Sequence, residues 1–312
     1  MSNSKKIIIL LFVILLIILL IFAYITYNTY QQKQAANNLT ETHFYPTQKT
    51  STILIDTTKN KEQDLIDTSS LIKNTGKNSL SQKLNEIPNL ELPLLLQNEE
   101  VITHTGFQLV YSETHEQAKW VCYQFTKAET NKIANRSDNF REDVKIKTNS
   151  ATDNDYKGSG YDRGHLAPAG DMSWSEEAMS CSFYYSNMSP QTPSFNRGIW
   201  KKLEEQVRSW VAIYDTLYVV TGPVLEADLP FIGVNQVSIP NFYYKVILDA
   251  KKERKEAIGF VMPNKKSNLS IQNYVVTIDS VEKLTGIDFF YQLPNEIENQ
   301  IEKKVCASCW RW

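Results

Sequence analysis

The stretch Tyr161–Asp171 reads Tyr-Asp-Arg-Gly-His-Leu-Ala-Pro-Ala-Gly-Asp and places an acid, a guanidinium and an imidazole between Asp162 and His165. An arginine can donate two parallel hydrogen bonds to a phosphate, and a neutral histidine can accept a proton near pH 7. The glycine between them lets the backbone approach a ligand closely. This composition is typical of a site that handles phosphate, and the alternative is a polar turn with one satisfied histidine.

A second polar pattern lies on a predicted helix that begins near Asn196, where apolar residues from Ile199 to Trp210 recur at helical spacing. Beside this apolar stripe, a ladder with a spacing of four residues consists of Asn196, Trp200, Glu204 and Arg208. An amide oxygen at the helix start and a carboxylate two turns later can hold a hard cation such as Mg²⁺, which keeps most of its waters. The alternative is a solvent-exposed ion pair between Glu204 and Arg208.

The two patterns supply complementary parts of one reaction. Phosphodiester hydrolysis needs a base that deprotonates water, a cation that stabilises the developing charge, and donors that hold the phosphate in line. His165, a metal ion on Asn196, and Arg163 with a further arginine would fill these roles. The sequence therefore predicts a phosphodiester hydrolase.

The order of secondary-structure elements indicates the fold class. Short aromatic and β-branched runs bounded by turn residues predict strands at 107–111, 120–125, 216–221, 242–248 and 257–262. A further helix is predicted over 275–286, with Gly286 at its end. Because strands and helices do not alternate regularly, an α+β architecture is favoured over a doubly wound sheet.

Several motifs occur in one characteristic order. They are Trp120-Val-Cys-Tyr, Arg136-Ser-Asp-Asn-Phe-Arg-Glu-Asp143, Gly158-Ser-Gly-Tyr-Asp-Arg-Gly-His-Leu-Ala-Pro168, Asn187-Met-Ser-Pro-Gln191, Phe195-Asn196 with Trp200 and Leu203-Glu204, Thr221-Gly-Pro223, and Phe260-Val-Met-Pro-Asn264. In this series the chain resembles the DNA/RNA non-specific endonucleases of the ββα-metal type, the family that includes mitochondrial endonuclease G. The resemblance covers about residues 100 to 293. It implies a ββα-metal nuclease fold with a central, mainly antiparallel sheet flanked by helices.

The resemblance also implies the catalytic and metal-binding roles. His165 would be the general base that activates water. Asn196 would be the one direct protein ligand of Mg²⁺, for which Mn²⁺ is expected to substitute, and Glu204 would hold waters on that ion. The expected products are oligonucleotides with 5′-phosphates, because in the family the metal stabilises the 3′ leaving oxygen.

The same resemblance implies which residues bind the substrate. Arg163 and Arg136 would bind the scissile phosphate and offset charge in the transition state. Arg208 would support the site behind the metal-binding carboxylate. Asn187 would line the site, although a turn residue ahead of the nearby proline is an equal alternative for its side chain. Asp162 would orient the loop or Arg163 rather than bind metal.

The overall charge of the chain bears on which kinds of nucleic-acid-binding protein it can be. The 312 residues include 33 basic and 35 acidic side chains, which gives a formal net charge of −2 and no global basic field. This balance argues against a tight, non-catalytic nucleic-acid binder. DNA and RNA are the predicted partners, through backbone contacts with little sequence specificity, and a homodimer is compatible with the sequence. The rival functions are a catalytically weak nucleic-acid-binding or uptake protein on the same fold, and a secreted phosphodiesterase of small nucleotides.

The N-terminal segment is predicted to anchor the chain in a membrane. Residues 7–23 are unbroken apolar, residues 24 and 25 extend the run to about the ~20 residues that span a bilayer, and Lys5 and Lys6 precede it. No lysine follows until Lys33, so the positive-inside rule places the N-terminus in the cytoplasm. The catalytic domain would then be periplasmic or extracellular. A cleaved signal peptide, and hence a secreted protein, is the alternative.

The predicted organisation follows from these features. Residues 1–26 form a cytoplasmic start and transmembrane anchor, 27–97 a polar linker, 98–295 the endonuclease domain, and 296–312 a C-terminal tail. The chain has four cysteines, Cys122, Cys181, Cys306 and Cys309, and the sequence leaves all three full disulfide pairings open. Cys306-Ala-Ser-Cys309 lacks a second Cys/His pair at metal spacing, which argues against zinc.

Overall fold

The computed structural model describes residues 87–148, 150–250 and 255–312. The predicted anchor and almost all of the predicted linker lie outside these residues. Within the described ranges, no helix has both the length and the apolar character needed to cross a membrane.

A seven-stranded sheet is the framework of the described chain. The strands, in chain order, are β1 Val101–His104, β2 Phe107–Ser112, β3 Gln117–Thr126, β4 Asp162–His165, β5 Met188–Gln191, β6 Thr216–Pro223, β7 Phe231–Ile232, β8 Val237–Ser238, β9 Phe242–Asp249, β10 Glu256–Pro263 and β11 Val275–Val276. The large sheet has the order β1-β2-β3-β6-β9-β10-β11, and its strand pairs are antiparallel. The predicted α+β class with an antiparallel central sheet is confirmed.

The helices flank this sheet. They are α1 Asp153–Tyr156, α2 Glu176–Cys181, α3 Lys201–Tyr214, α4 Ile278–Thr285 and α5 Asn295–Glu302. The predicted helix near Asn196 begins as a π-helical turn, Phe195–Trp200, which runs into α3 across a non-helical Gly198. Such π-turns are frequent at functional sites because they re-aim the side chains around them. The predicted helix at 275–286 is shorter than expected, because its first two residues form β11 and α4 starts at Ile278. Gly286 caps the helix after Thr285 with a positive φ of 71°.

The central strands are buried on both faces, which explains their nearly continuous apolar sequences. All eight residues of β6 are buried, and β9 is buried from Tyr243 onward. Successive side chains on a strand point to opposite faces. Tyr243 and Ile247 therefore join the apolar core formed with α3, whereas Tyr244 packs on the other face against Phe289.

The segment Asp162–His165 forms strand β4 and not a loop, which corrects one sequence-based expectation. It pairs antiparallel with β5, so that Gly164 lies opposite Ser189 and His165 opposite Met188. A Cβ atom at Gly164 would lie 2.2 Å from the side chain of Gln191. Only glycine fits there, and the two strands with α3 form a ββα unit.

The C-terminal residues pack against α3. The Trp310 ring lies 4.6 Å from the Trp210 ring, and the carbonyl of Arg311 accepts hydrogen bonds from Trp210 Nε1 and from Gln206 Nε2. A disulfide joins Cys306 and Cys309. The other two cysteines are free, so none of the three full pairings is formed, and the bonded sulfurs are not available to zinc.

Candidate active site

A cavity of about 450 Å³ opens where β4 and α3 meet. Its lining includes all the predicted site residues except Asn187: Arg136, Arg163, His165, Asn196, Glu204 and Arg208. Arg197 and Lys201 add further positive charge to the lining, which includes five basic side chains and one acid, Glu204. A cavity with this lining suits an anionic ligand such as a phosphate.

His165 stands at the end of β4 between two aromatic rings. Its side chain is 9% exposed and meets Phe183 edge-on at 4.8 Å and Phe140 at 6.0 Å. Its Nε2 atom is buried and has no hydrogen-bond partner within the described part of the chain. Burial, and secondarily the positive charge of Arg136, lowers the pKa of His165 to about 3. The ring is therefore neutral at pH 7.

The two rings beside His165 also carry the two arginines that were predicted to bind phosphate. The Arg163 guanidinium lies 5.1 Å from the centre of the Phe140 ring, and the Arg136 guanidinium lies 4.9 Å from that of Phe183. Cation–π contacts of this kind restrict where a guanidinium can point. The rings thus hold the imidazole and both guanidiniums in one group.

Each of these arginines also has polar partners outside the cavity lining. Arg163 donates to the Tyr185 hydroxyl at 3.0 Å and pairs with Asp153. Arg136 donates through Nε to Asp138 at 2.7 Å. Such partners orient a long side chain and reduce the conformational entropy that it loses on binding a ligand.

Asp162 has a different role from the one expected. Its Oδ2 accepts a hydrogen bond of 2.9 Å from Asn196 Nδ2, and its two oxygens accept bonds of 2.8 and 2.6 Å from Arg197. Asp162 therefore orients Asn196 rather than Arg163. The donated bond turns the amide so that Asn196 Oδ1, which no hydrogen bond uses among the residues described, remains as an acceptor.

Glu204 lies on the first turn of α3 and is half-buried. The alternative, an ion pair between Glu204 and Arg208, is not found among the salt bridges of the described residues. Arg208 instead pairs with Asp171 at 2.6 Å, and Tyr123 donates to the same carboxylate at 2.8 Å. Arg208 thus stands in the cavity wall with a fixed partner.

Lys245 does not line the cavity, but its charge acts on Glu204, and this role was not predicted from the sequence. It is 1% exposed, donates to Thr221 Oγ1, and places Nζ 5.2 Å from the Trp200 ring beneath α3. Burial lowers its pKa, while burial raises the pKa of Glu204 and the positive charge of Lys245 opposes that increase. A lysine within the apolar run 242–248 was the signal, since a charge in a buried strand needs a partner.

Asn187 does not reach the cavity, which corrects its predicted contact with substrate. It is fully buried, donates to the carbonyls of Ala167 and Ser182 at 3.0 and 2.8 Å, and accepts from Ala167 N at 2.8 Å. These bonds fix the backbone that follows His165. Asn187 is therefore a positioning residue. Its side chain fits the alternative given above, a turn residue ahead of a proline, better than a contact with substrate.

The donor set in the cavity fits a hard divalent cation. Asn196 offers an unused amide oxygen and Glu204 a carboxylate, and both line the same space. Mg²⁺ prefers oxygen ligands and commonly takes only one or two of them from protein. The two residues could hold such an ion beside the neutral His165.

Several known proteins resemble this chain. The family model of the DNA/RNA non-specific endonucleases matches residues 88–296. Human mitochondrial endonuclease G is 35% identical over 219 residues, which cover 65% of this chain and 73% of that protein. A nuclease of Nostoc sp. is 32% identical over 242 residues, which cover 70% and 87%.

A solved structure shows the same fold. A chain from the crystal structure of the EndoG/EndoGI complex superposes with a TM-score of 0.62 at 32% sequence identity. The match covers 69% of this chain and 94% of that one.

Proposed function

Because the chain belongs to the DNA/RNA non-specific endonuclease family and is a nuclease, we propose that its cavity hydrolyses phosphodiester bonds of both DNA and RNA with Mg²⁺. The observation that carries the proposal is the convergence of His165, Asn196 and Arg163 on one cavity. The three side chains come from β4 and from the start of the helical segment, so the ββα unit itself assembles them.

His165 acts as the general base. Burial disfavours the imidazolium in the free protein, and a bound phosphate would favour it, because a nearby negative charge raises the pKa of a histidine. The flanking rings fix the orientation of the imidazole. A water molecule that donates to this ring can lose its proton as it attacks phosphorus. The aromatic packing provides the positioning that an attack in line with the leaving oxygen requires.

Arg163 and Arg136 hold the phosphate. Their guanidiniums line the cavity on the rings that flank His165, so a phosphate bound between them lies near the base. Mg²⁺ on Asn196, when bound, stabilises the developing negative charge and the leaving 3′ oxygen. Asp162 keeps the Asn196 oxygen turned toward the cavity, and Lys245 compensates the half-buried charge of Glu204.

The same contacts explain a lack of sequence specificity. Guanidinium groups that bind phosphate contact a part of the substrate that is common to all sequences. Attack by water opposite the 3′ oxygen leaves the phosphate on the 5′ end of the product. The expected products are therefore oligonucleotides with 5′-phosphates from either nucleic acid.

A substrate panel tests this proposal. With Mg²⁺ or Mn²⁺, the protein should shorten both long duplex DNA and single-stranded RNA, and EDTA should abolish cleavage because the metal is removed. End-labelling would establish the position of the phosphate. Binding of DNA without cleavage would favour the nucleic-acid-binding function. Hydrolysis of dinucleotides alone would favour the small-nucleotide phosphodiesterase.

We further propose that residues 7–25 anchor the nuclease in a membrane, with the catalytic domain outside the cytoplasm. The support is the apolar run with its two preceding lysines. The full chain should remain in the membrane fraction after carbonate extraction, and a chain that starts at residue 27 should be soluble. A mature protein whose N-terminus lies after the apolar run would show cleavage of a signal peptide instead.

A further inference from the structure

A group of carboxylates lies away from the catalytic cavity, between α4 and α5. Asp279 and Glu282 are three residues apart on α4, so they share one face of that helix. Glu302 is the last residue of α5. One carboxylate oxygen from each of the three lies within 4.8 Å of the other two.

The position of this group in the fold separates it from the nuclease site. Val281 of α4 approaches Gly259 of β10, whereas the neighbouring Ile258 and Phe260 face the core formed with α3. Adjacent strand residues point to opposite faces. The carboxylates therefore belong to the helices on the sheet face opposite the catalytic cavity.

Glu302 shows that the group is more than a solvated acidic patch. Its side chain is 7% exposed, and its Oε1 atom is buried without a hydrogen-bond partner anywhere in the described chain. Among the residues that the structure describes, no lysine, arginine or histidine forms an ion pair within 4.0 Å with Asp279, Glu282 or Glu302. A buried carboxylate oxygen without a hydrogen bond or counter-ion is costly, so the group either takes up a proton or binds a cation.

The local charges add to the need for a cation. Glu298 lies one turn before Glu302 on α5, and like charges at this spacing repel each other. The carboxylate of Glu302 also stands at the C-terminal, negative end of its helix. Burial first, and the neighbouring carboxylates second, raise the pKa of Glu302 to about 9. Burial also raises the pKa of Glu282 to about 7, against the effect of a hydrogen bond of 2.9 Å that its Oε1 accepts from Phe289 N.

We propose that Asp279, Glu282 and Glu302 form a calcium site that fastens α5 to α4. Calcium–oxygen distances of about 2.3–2.6 Å place opposite ligands roughly 5 Å apart, so oxygens within 4.8 Å of one another can share one ion. Magnesium usually keeps several of its waters and binds one or two carboxylates, whereas three carboxylates from two helices suit the larger and more flexible coordination sphere of calcium. The bound ion neutralises the buried carboxylate and links two helices that are separate in sequence.

Calcium binding to the Asn196→Ala variant tests this inference, because that variant lacks the proposed catalytic metal ligand. Calorimetric titration should give one calcium ion per chain, and about 10 mM CaCl₂ should raise the unfolding temperature by about 3 °C, as expected for an affinity in the millimolar range. Adding Glu302→Gln should abolish both effects. Adding Glu296→Gln, an exposed acid on the first turn of α5, should leave them intact.

The stability of the variants without calcium distinguishes loss of the site from loss of the fold. Glu302→Gln should unfold at the same temperature as its parent or at a higher one, because it removes charge repulsion. Asp279→Asn, at a partly exposed position, should also lose calcium binding while remaining folded. Calcium binding that persists in both variants, or none in the parent, would overturn the calcium site. Neither result depends on nuclease activity.

Discussion

The His165→Ala variant is expected to cleave DNA about 10²- to 10⁴-fold more slowly than the unaltered protein, which is the usual contribution of a positioned general base. DNA binding should change little, because Arg163 and Arg136 remain on their aromatic rings. Single-turnover cleavage and fluorescence anisotropy measure the two quantities. Activity within tenfold of the unaltered protein would remove His165 from the base role.

His115→Ala is the matched control. That imidazole contacts the Ser238 hydroxyl at 2.9 Å and is not part of the cavity lining. Its removal should leave the cleavage rate within about twofold, as for most substitutions away from a site. A comparable loss of activity in both variants would point to a general effect on folding rather than to the chemistry of His165.

The lowered pKa of His165 predicts how the stability of the protein depends on pH. The unfolded chain takes up a proton at this residue near the ordinary value of about 6.5, whereas the folded chain does so only at about 3. The free energy of unfolding contributed by this group therefore falls progressively as the pH drops from about 6.5 toward 3. His165→Ala should lose that part of the acid sensitivity, which urea unfolding at about pH 7 and pH 4.5 would measure.

The Asn196→Ala variant is expected to need about tenfold or more Mg²⁺ for half-maximal activity, because removing even an outer partner of a metal typically costs 10–100-fold in affinity or activity. Cleavage measured across a magnesium titration gives this midpoint. The amide oxygen of Asn196 is the direct protein ligand in this account, and Asp162 keeps it turned toward the cavity.

Asn273→Ala is the control for this titration, since it changes an exposed asparagine outside the cavity lining. Its magnesium midpoint should equal that of the unaltered protein. The magnesium midpoint of Asp162→Asn should lie between those of the control and Asn196→Ala, because this substitution weakens the hydrogen bond that orients the Asn196 amide. An unchanged midpoint in Asn196→Ala would mean that the ion binds elsewhere.

The sequence was sufficient for the fold class and for most of the cavity. Short aromatic and β-branched runs marked β2, β3, β6, β9 and β10, and apolar residues at helical spacing marked α3. The ladder from Asn196 to Arg208 identified one wall of the site. These signals are local, because they depend on spacing along one element. The ordered motifs then indicated that His165 and Asn196 belong to the same site, which spacing alone could not show.

The parts that were missed depend on contacts between elements. The strand β4 contains no apolar alternation, and its pairing with β5 is seen only in the fold. Asn187 is a residue type that often occurs in active sites. Its three hydrogen bonds to the backbone of Ala167 and Ser182 are seen only in the folded structure. Lys245 interrupts an apolar run, but its effect on Glu204 is recognised only once β9 is known to face α3. The role of Asp162 is recognised only once Asn196 is seen beside it.

The most direct test of the account is a crystal structure of the His165→Ala variant with Mn²⁺ and a short DNA duplex. Anomalous scattering locates the ion independently of any activity. One anomalous peak is expected in the cavity within direct coordination distance of Asn196 Oδ1, with a DNA phosphate between that ion and Arg163. An ion bound away from Asn196, or a phosphate outside this cavity, would contradict the assignment of the active site.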